Sequence, residues 1–84
     1  MKMFSIGLSP EANMFVRKDI IIAIGDYSLA ENKRKCKDAK EKFMLSDYTL
    51  GKKKESVVFC SDGVIYISAV PTVELAKSFN EEED

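Results

Sequence analysis

The stretch from Leu45 to Val58 constrains this chain most: Leu-Ser-Asp-Tyr-Thr-Leu-Gly-Lys-Lys-Lys-Glu-Ser-Val-Val. Tyr, Thr and Val suit a pleated surface, and Gly51 supplies the positive backbone angle that a tight turn demands. The pattern predicts two strands joined at Gly51, with Lys52, Lys53 and Lys54 on the tip. Strands on either side would hold that charge out in solvent, where binding groups usually sit. The plainer role for lysines at a turn is solubility and protection of a strand edge. Spacing alone favours the plainer role.

Eighty-four residues allow one small domain, and such a domain buries little surface by itself. Self-association would extend its core. The run Ile20-Ile21-Ile22-Ala23-Ile24 is apolar at every position, so a strand here needs cover on both faces, one from a helix and one from a neighbouring subunit. It is far too short to cross a membrane. The first residues, Met1 to Ser5, contain no apolar signal core, which places the expected chain in the cytoplasm with no membrane partner. Cys36 and Cys60 form no CxxC pair, and there is no histidine, so an ordinary zinc site is not expected. Each cysteine fits the role of a small buried apolar residue.

The net charge of −1 conceals an uneven distribution. Glu81, Glu82, Glu83 and Asp84 hold four of the 14 acidic groups; without them, 13 basic residues face 10 acidic ones, a balance of +3. Lys33, Arg34, Lys35, Lys37, Lys40 and Lys42 crowd between Leu29 and Phe43. The expected body, residues 1–80, carries basic patches and ends in a disordered acidic tail over 81–84.

In chain order, Met3 to Ile6 reads as a first strand and Ser9 to Asn13 as a loop around Pro10. Met14 to Ile24 reads as the main strand region. Ser28-Leu29-Ala30-Glu31 fits a capping box at a helix start. Leu29, Cys36, Ala39 and Phe43 then recur as one narrow apolar stripe, with Glu31 and Lys35 a favourable pair four residues apart. The outer face of this helix is basic. It is either a solvated cover for the sheet or a surface for phosphate contact. Ser61-Asp62-Gly63 reads as a second, hairpin-type turn. Val64 to Val70 reads as the last strand, with Ile65 and Ile67 on one face and Tyr66 and Ser68 on the other. Pro71 stops it, and Thr72 to Phe79 forms a short closing helix. The expected class is α+β, a small antiparallel sheet with one main amphipathic helix and a short C-terminal helix.

Catalytic patterns are missing from the sequence: no histidine, no Gly-rich phosphate loop before a helix and no nucleophile elbow. Asp26, Asp47 and Asp62 fall at turns, where backbone hydrogen bonding favours Asp. The expectation is a protein that is not an enzyme, with no cofactor, no metal and no small-molecule substrate.

Taken together, Ile22-Ala23-Ile24, Lys33-Arg34, Asp38-Ala39, Leu45, Asp47, Thr49, Gly51-Lys52-Lys53, Val57-Val58 and Ser68-Ala69-Val70 resemble the RemA family of small bacterial regulators of extracellular matrix and biofilm genes. The resemblance spans about Met3 to Phe79 and needs no gap from Ala23 onward. No single piece is a strong motif; the register of the whole carries it. Ile65-Tyr66-Ile67-Ser68 also resembles the late strand of RemB-like members.

The resemblance implies a DNA-binding transcriptional regulator that assembles into a homo-oligomeric ring (an octamer), with double-stranded DNA tracking its basic rim. The family's Gly-Arg-Arg tip falls on Gly51, Lys52 and Lys53. Lysine keeps the charge without the bidentate fork, which favours phosphate contact over base reading. The third tip arginine falls on Glu55, with Lys54 just before it. The arginine ahead of the apolar strand falls on Ile20 or Asp19, with Arg17 and Lys18 as nearby substitutes. The DNA-contacting set implied is Lys52, Lys53, Lys54, Arg17, Lys18 and Arg34. The alternative is an oligomeric scaffold or protein-interaction module of the same fold that has lost DNA binding. Salt-dependent DNA binding separates the two.

Overall fold

The computed structural model describes residues 2–7 and 14–81. Two short strands, β1 (Met3–Ser5) and β2 (Phe15–Arg17), pair antiparallel in a sheet of their own, with Phe4 opposite Val16. A 3-10 turn at Lys18–Ile20 leads into β3 (Ile21–Asp26). Then come α1 (Ala30–Glu41), β4 (Leu45–Asp47), β5 (Ser56–Cys60), β6 (Ile65–Ser68) and α2 (Thr72–Glu81). The second sheet has four strands in the order β3-β5-β6-β4. The α+β class stands as expected. The loop expected at Ser9–Asn13 and the tail beyond Glu81 lie outside the described residues, and Glu81 itself closes α2.

β5 is the centre of the packing. Its Val57 and Val58 point to opposite faces, and both are fully buried. One face packs Val57, Ile65 and Ile67 against Cys36 and Ala39 of α1. The other packs Val58 and Cys60 against Phe4, Ile6, Val16 and Leu75 of α2, with Phe79 edge-on to Phe4 at 5.2 Å. Each Val, Ile, Leu or Phe among these contributes about 1.5–3 kcal/mol on removal from water. Buried Ser68 ties the two sheets together: its hydroxyl donates to the Ile6 carbonyl at 2.8 Å and accepts from the Val70 amide at 3.0 Å. Both thiols are buried. Burial raises Cys36 and pushes Cys60 up to about 11, with the Asp62 charge adding to the effect, so they pack as small apolar groups rather than act as nucleophiles.

Several expectations need correction. Met14–Ile24 is two strands in two sheets, not one. The charged Arg17-Lys18-Asp19 breaks the apolar run, and the Ser61 amide catches the Ile20 carbonyl at 2.7 Å as the chain crosses to the second sheet. The capping box does not form. The cap falls on Leu29, which moves Glu31 to the wrong position, and the Asn32 amide instead donates to the Asp26 carbonyl at 2.7 Å. The predicted stripe is buried only at Cys36 and Ala39, while Leu29 and Phe43 lie exposed. Phe43 sits just past the end of α1 with φ of 59°; its amide donates to Lys40 at 3.1 Å and that of Met44 to Ala39 at 2.8 Å. This is a Schellman cap, and it swings Phe43 outward while Met44 packs inward.

Two further corrections concern the sheet. It is mixed, because β4 runs parallel to β6, in register from Leu45 opposite Ile65 to Asp47 opposite Ile67. The stretch from Leu45 to Phe59 is therefore not a hairpin. β4 and β5 run in opposite directions as expected, but β6 lies between them. The Tyr48 amide bonds Ile67 on one side of β6, and the Glu55 amide bonds Ser68 on the other. The turn between them straddles the end of β6. The true hairpin is β5–β6, through the expected Ser61-Asp62-Gly63 turn, where Gly63 takes φ of 92° and Asp62 accepts from the Val64 amide. Within the single chain, Ile20, Ile21 and Ile24 pack toward the cluster that contains Leu75 of α2, the helix side of the expected cover. The register with β5 slips between Ile21 and Ala23, and the bulged Ile22 is turned outward, 68% exposed. Among the described residues no helix is long and apolar enough to cross a membrane.

Candidate nucleic-acid interface

The lysine tip is built from Asp47 outward. One Asp47 carboxylate oxygen accepts from the Thr49 amide at 2.9 Å and from the Thr49 hydroxyl at 2.7 Å. Thr49 is buried, so the start of the loop is anchored from below. Leu50 and Gly51 follow with φ of 55° and 81°, and the Lys52 amide closes the turn on the Thr49 carbonyl at 3.0 Å. Positive φ at both central positions marks a tight two-residue turn of the primed type. Glycine takes that shape freely; Leu50 takes it at a steric cost, with its side chain 66% exposed.

Lys52, Lys53 and Lys54 leave this turn into solvent. The Lys54 ammonium lies 3.7 Å from the other Asp47 oxygen, and that of Lys53 lies 3.9 Å from Glu55. Exposed pairs at such distances are weak, so both remain available to a stronger anion. Burial pushes the Asp47 carboxyl up, but the Thr49 hydrogen bonds and the nearby Lys54 together outweigh it and hold the group below its ordinary value. The brace is therefore ionised at neutral pH.

The six sequence-predicted residues fall in three places. Lys52, Lys53 and Lys54 share the tip. Arg17 and Lys18 lie at the crossing from β2 to β3, where they line a shallow hollow with Lys2 and Asp19. The Arg17 fork is gripped by both oxygens of Asp19, at 3.1 Å and 2.5 Å, and this hydrogen bonding raises Arg17 above and lowers Asp19 below their ordinary values. Lys18 lies over the Phe79 ring at 4.5 Å. Arg34 stands on the solvent side of α1, 3.9 Å from Glu31, which also reaches Lys35 at 3.9 Å.

The fold adds what spacing left undecided. Lys33, Lys37 and Lys40 of α1 line a groove of about 530 Å³ together with Lys54 of the tip. All three lie in the basic run between Leu29 and Phe43 but outside the implied DNA-contacting set, and their i, i+4, i+7 spacing was legible in the sequence. Which flank of α1 would meet the tip was not. Among the described residues no cluster of His, Cys, Asp or Glu is placed to hold a metal ion.

Fold and tip together define a small α+β domain that presents a braced cationic loop beside a lysine-lined helix. The family model described as RemA-like, extracellular matrix regulatory protein A-like, matches residues 8–79, and the chain belongs to this family. No curated protein matches it.

Proposed function

We propose that this chain is a DNA-binding transcriptional regulator of extracellular matrix genes, acting as a ring of identical subunits whose lysine tips contact the DNA backbone. The observation that carries the reading is the tip itself: three consecutive exposed lysines on a turn anchored by Asp47 and Thr49. Anchoring fixes where the charge stands, and phosphate contact needs charge in register more than it needs a particular base-reading side chain. Membership of the RemA-like family supports the regulatory role.

Assembly is supported by the uncovered edge of the main sheet. Ile22 and Ala23 of β3 lie exposed, and they line an open groove of about 250 Å³ with Ala76 and Phe79 of α2. A second copy packing on this face would supply the cover that the apolar run lacks.

The test is DNA affinity measured by fluorescence anisotropy between about 50 and 200 mM salt, where each phosphate contact contributes a slope of about 0.9. Replacing Lys52 and Lys53 with Ala should weaken binding and flatten the slope by about one unit per lost contact, while Lys52→Arg with Lys53→Arg preserves it. An unchanged slope in the Ala pair, or no salt-dependent binding by the native chain, would leave the oligomeric scaffold as the reading.

A further inference from the structure

The groove between α1 and the tip has a composition that a DNA-contacting surface does not require. Lys33, Lys37 and Lys40 form one wall and Lys54 the other, while Tyr27, Leu45 and Ile67 lie at its base. From Lys33 to Lys40 the helix rises about 10 Å. Its volume, about 530 Å³, falls within the range of about 300–1,000 Å³ that small-molecule sites occupy. A duplex is too wide to enter a cleft of this size; it would rest on the rim and leave the apolar base unused. Tyr27 is only partly buried, with the Lys33 ammonium 5.8 Å from its ring centre, so an aromatic face already stands next to cationic charge. The one carboxylate in the groove, Asp47, is bonded by Thr49 and faces Lys54, which reduces its opposition to an anion.

We infer that this groove is a binding site for a nucleotide bearing two or three phosphates. The phosphate chain lies along Lys33, Lys37 and Lys40 and reaches Lys54, and the flat base rests against Tyr27 and Leu45. Four ammonium groups match the charge of a phosphate chain and exceed what a single carboxylate or monophosphate needs. The tip residues Lys52 and Lys53 do not line the groove, so the site stands whether or not the tip binds DNA.

The probes are ATP, inorganic triphosphate and adenosine, each titrated into the full chain by calorimetry at low salt with amide NMR shifts recorded in parallel. ATP should bind saturably, triphosphate more weakly and adenosine not measurably. Shifts should be confined to α1, Tyr27 and the tip. Lys37→Ala with Lys40→Ala should lower ATP affinity by on the order of tenfold or more. Lys52→Ala with Lys53→Ala should leave it unchanged. Tyr27→Leu should weaken ATP but not triphosphate, a split that a general loss of fold cannot produce. ATP binding that is equal in the Lys37/Lys40 variant, that spreads shifts over every lysine, or that fails to saturate overturns the site. So does a Lys37/Lys40 variant that loses DNA affinity while ATP neither binds nor competes, which would make the groove wall a DNA contact.

Discussion

The four-stranded sheet ends in two edges that are managed in opposite ways. An edge strand exposes unpaired amides and carbonyls, and proteins blunt such edges with brevity, charge or bulges. β4 is three residues long, ends on Asp47, and lies beside Lys40 and Lys54. β3 is six residues long and shows Ile22 and Ala23 to solvent. Besides the exposed Asp26 at its end, it carries the bulge at Ile22, which breaks the ladder with β5 and turns an isoleucine outward. A second copy meeting β3 would therefore pack against side chains in the groove beside α2 rather than extend the sheet by strand addition. The β4 edge offers a partner charge, and the β3 edge offers it apolar surface. On the proposed reading, assembly and ligand contact would fall at opposite edges of the same sheet.

The largest effect should come from Ile22→Glu. A carboxylate in the apolar groove would be desolvated without a partner on assembly, so the proposed oligomer should fall to monomers in sedimentation. A native chain that is already monomeric at micromolar concentration would erase the contrast between the edges.

The reciprocal change belongs to the tip. Lys52→Ala with Lys53→Ala should cut DNA affinity on the order of tenfold at moderate salt and leave the sedimentation mass unaltered. If the mass falls instead, the tip is an assembly contact and the division between edges fails.

Asp47→Ala removes the brace below the tip and should lower folding stability by about 1 kcal/mol in a denaturant titration. Its pH dependence has a definite sign. A carboxyl held below its ordinary value when folded contributes stability above the unfolded value of about 3.9, and that contribution is lost as pH falls through the folded value. The native chain should therefore lose more stability than the Asp47→Ala variant on acidification below about pH 4. Parallel acid limbs in the two proteins would show that the brace carries no linkage.

The smallest effects concern Phe43 and Leu50, which flank β4 with left-handed backbone and exposed side chains. Replacing either with Gly relieves a steric cost but adds freedom to the unfolded chain, for a net gain of about half a kcal/mol. Thermal melts give the stability change. If the mass or DNA affinity drops in either variant, that side chain has a partner and the β4 edge is less polar in function than in composition.

The sequence made much of this legible. The Gly51 turn, the hairpin turn at Ser61–Gly63, the closing helix after Pro71 and the opposite facing of Ile65 and Tyr66 all stand as read. These features depend on backbone angles and a period of two, which are local properties. The capping box failed because a match to residue types does not locate the helix start to within one position. Phe43 failed because periodicity cannot see where a Schellman cap ends the helix.

What the sequence determined by itself, then, is the turns, the element types, the alternation of the central strands and the basic excess. Only the tertiary structure decided that β6 slips between β4 and β5, that Ile22 bulges outward, and that Lys33, Lys37 and Lys40 stand opposite Lys54. Strand order and groove walls are set by contacts between residues far apart in the chain. A parallel pair such as β4 and β6 leaves no short-range signal, because its partners are joined only through the packing of everything between them.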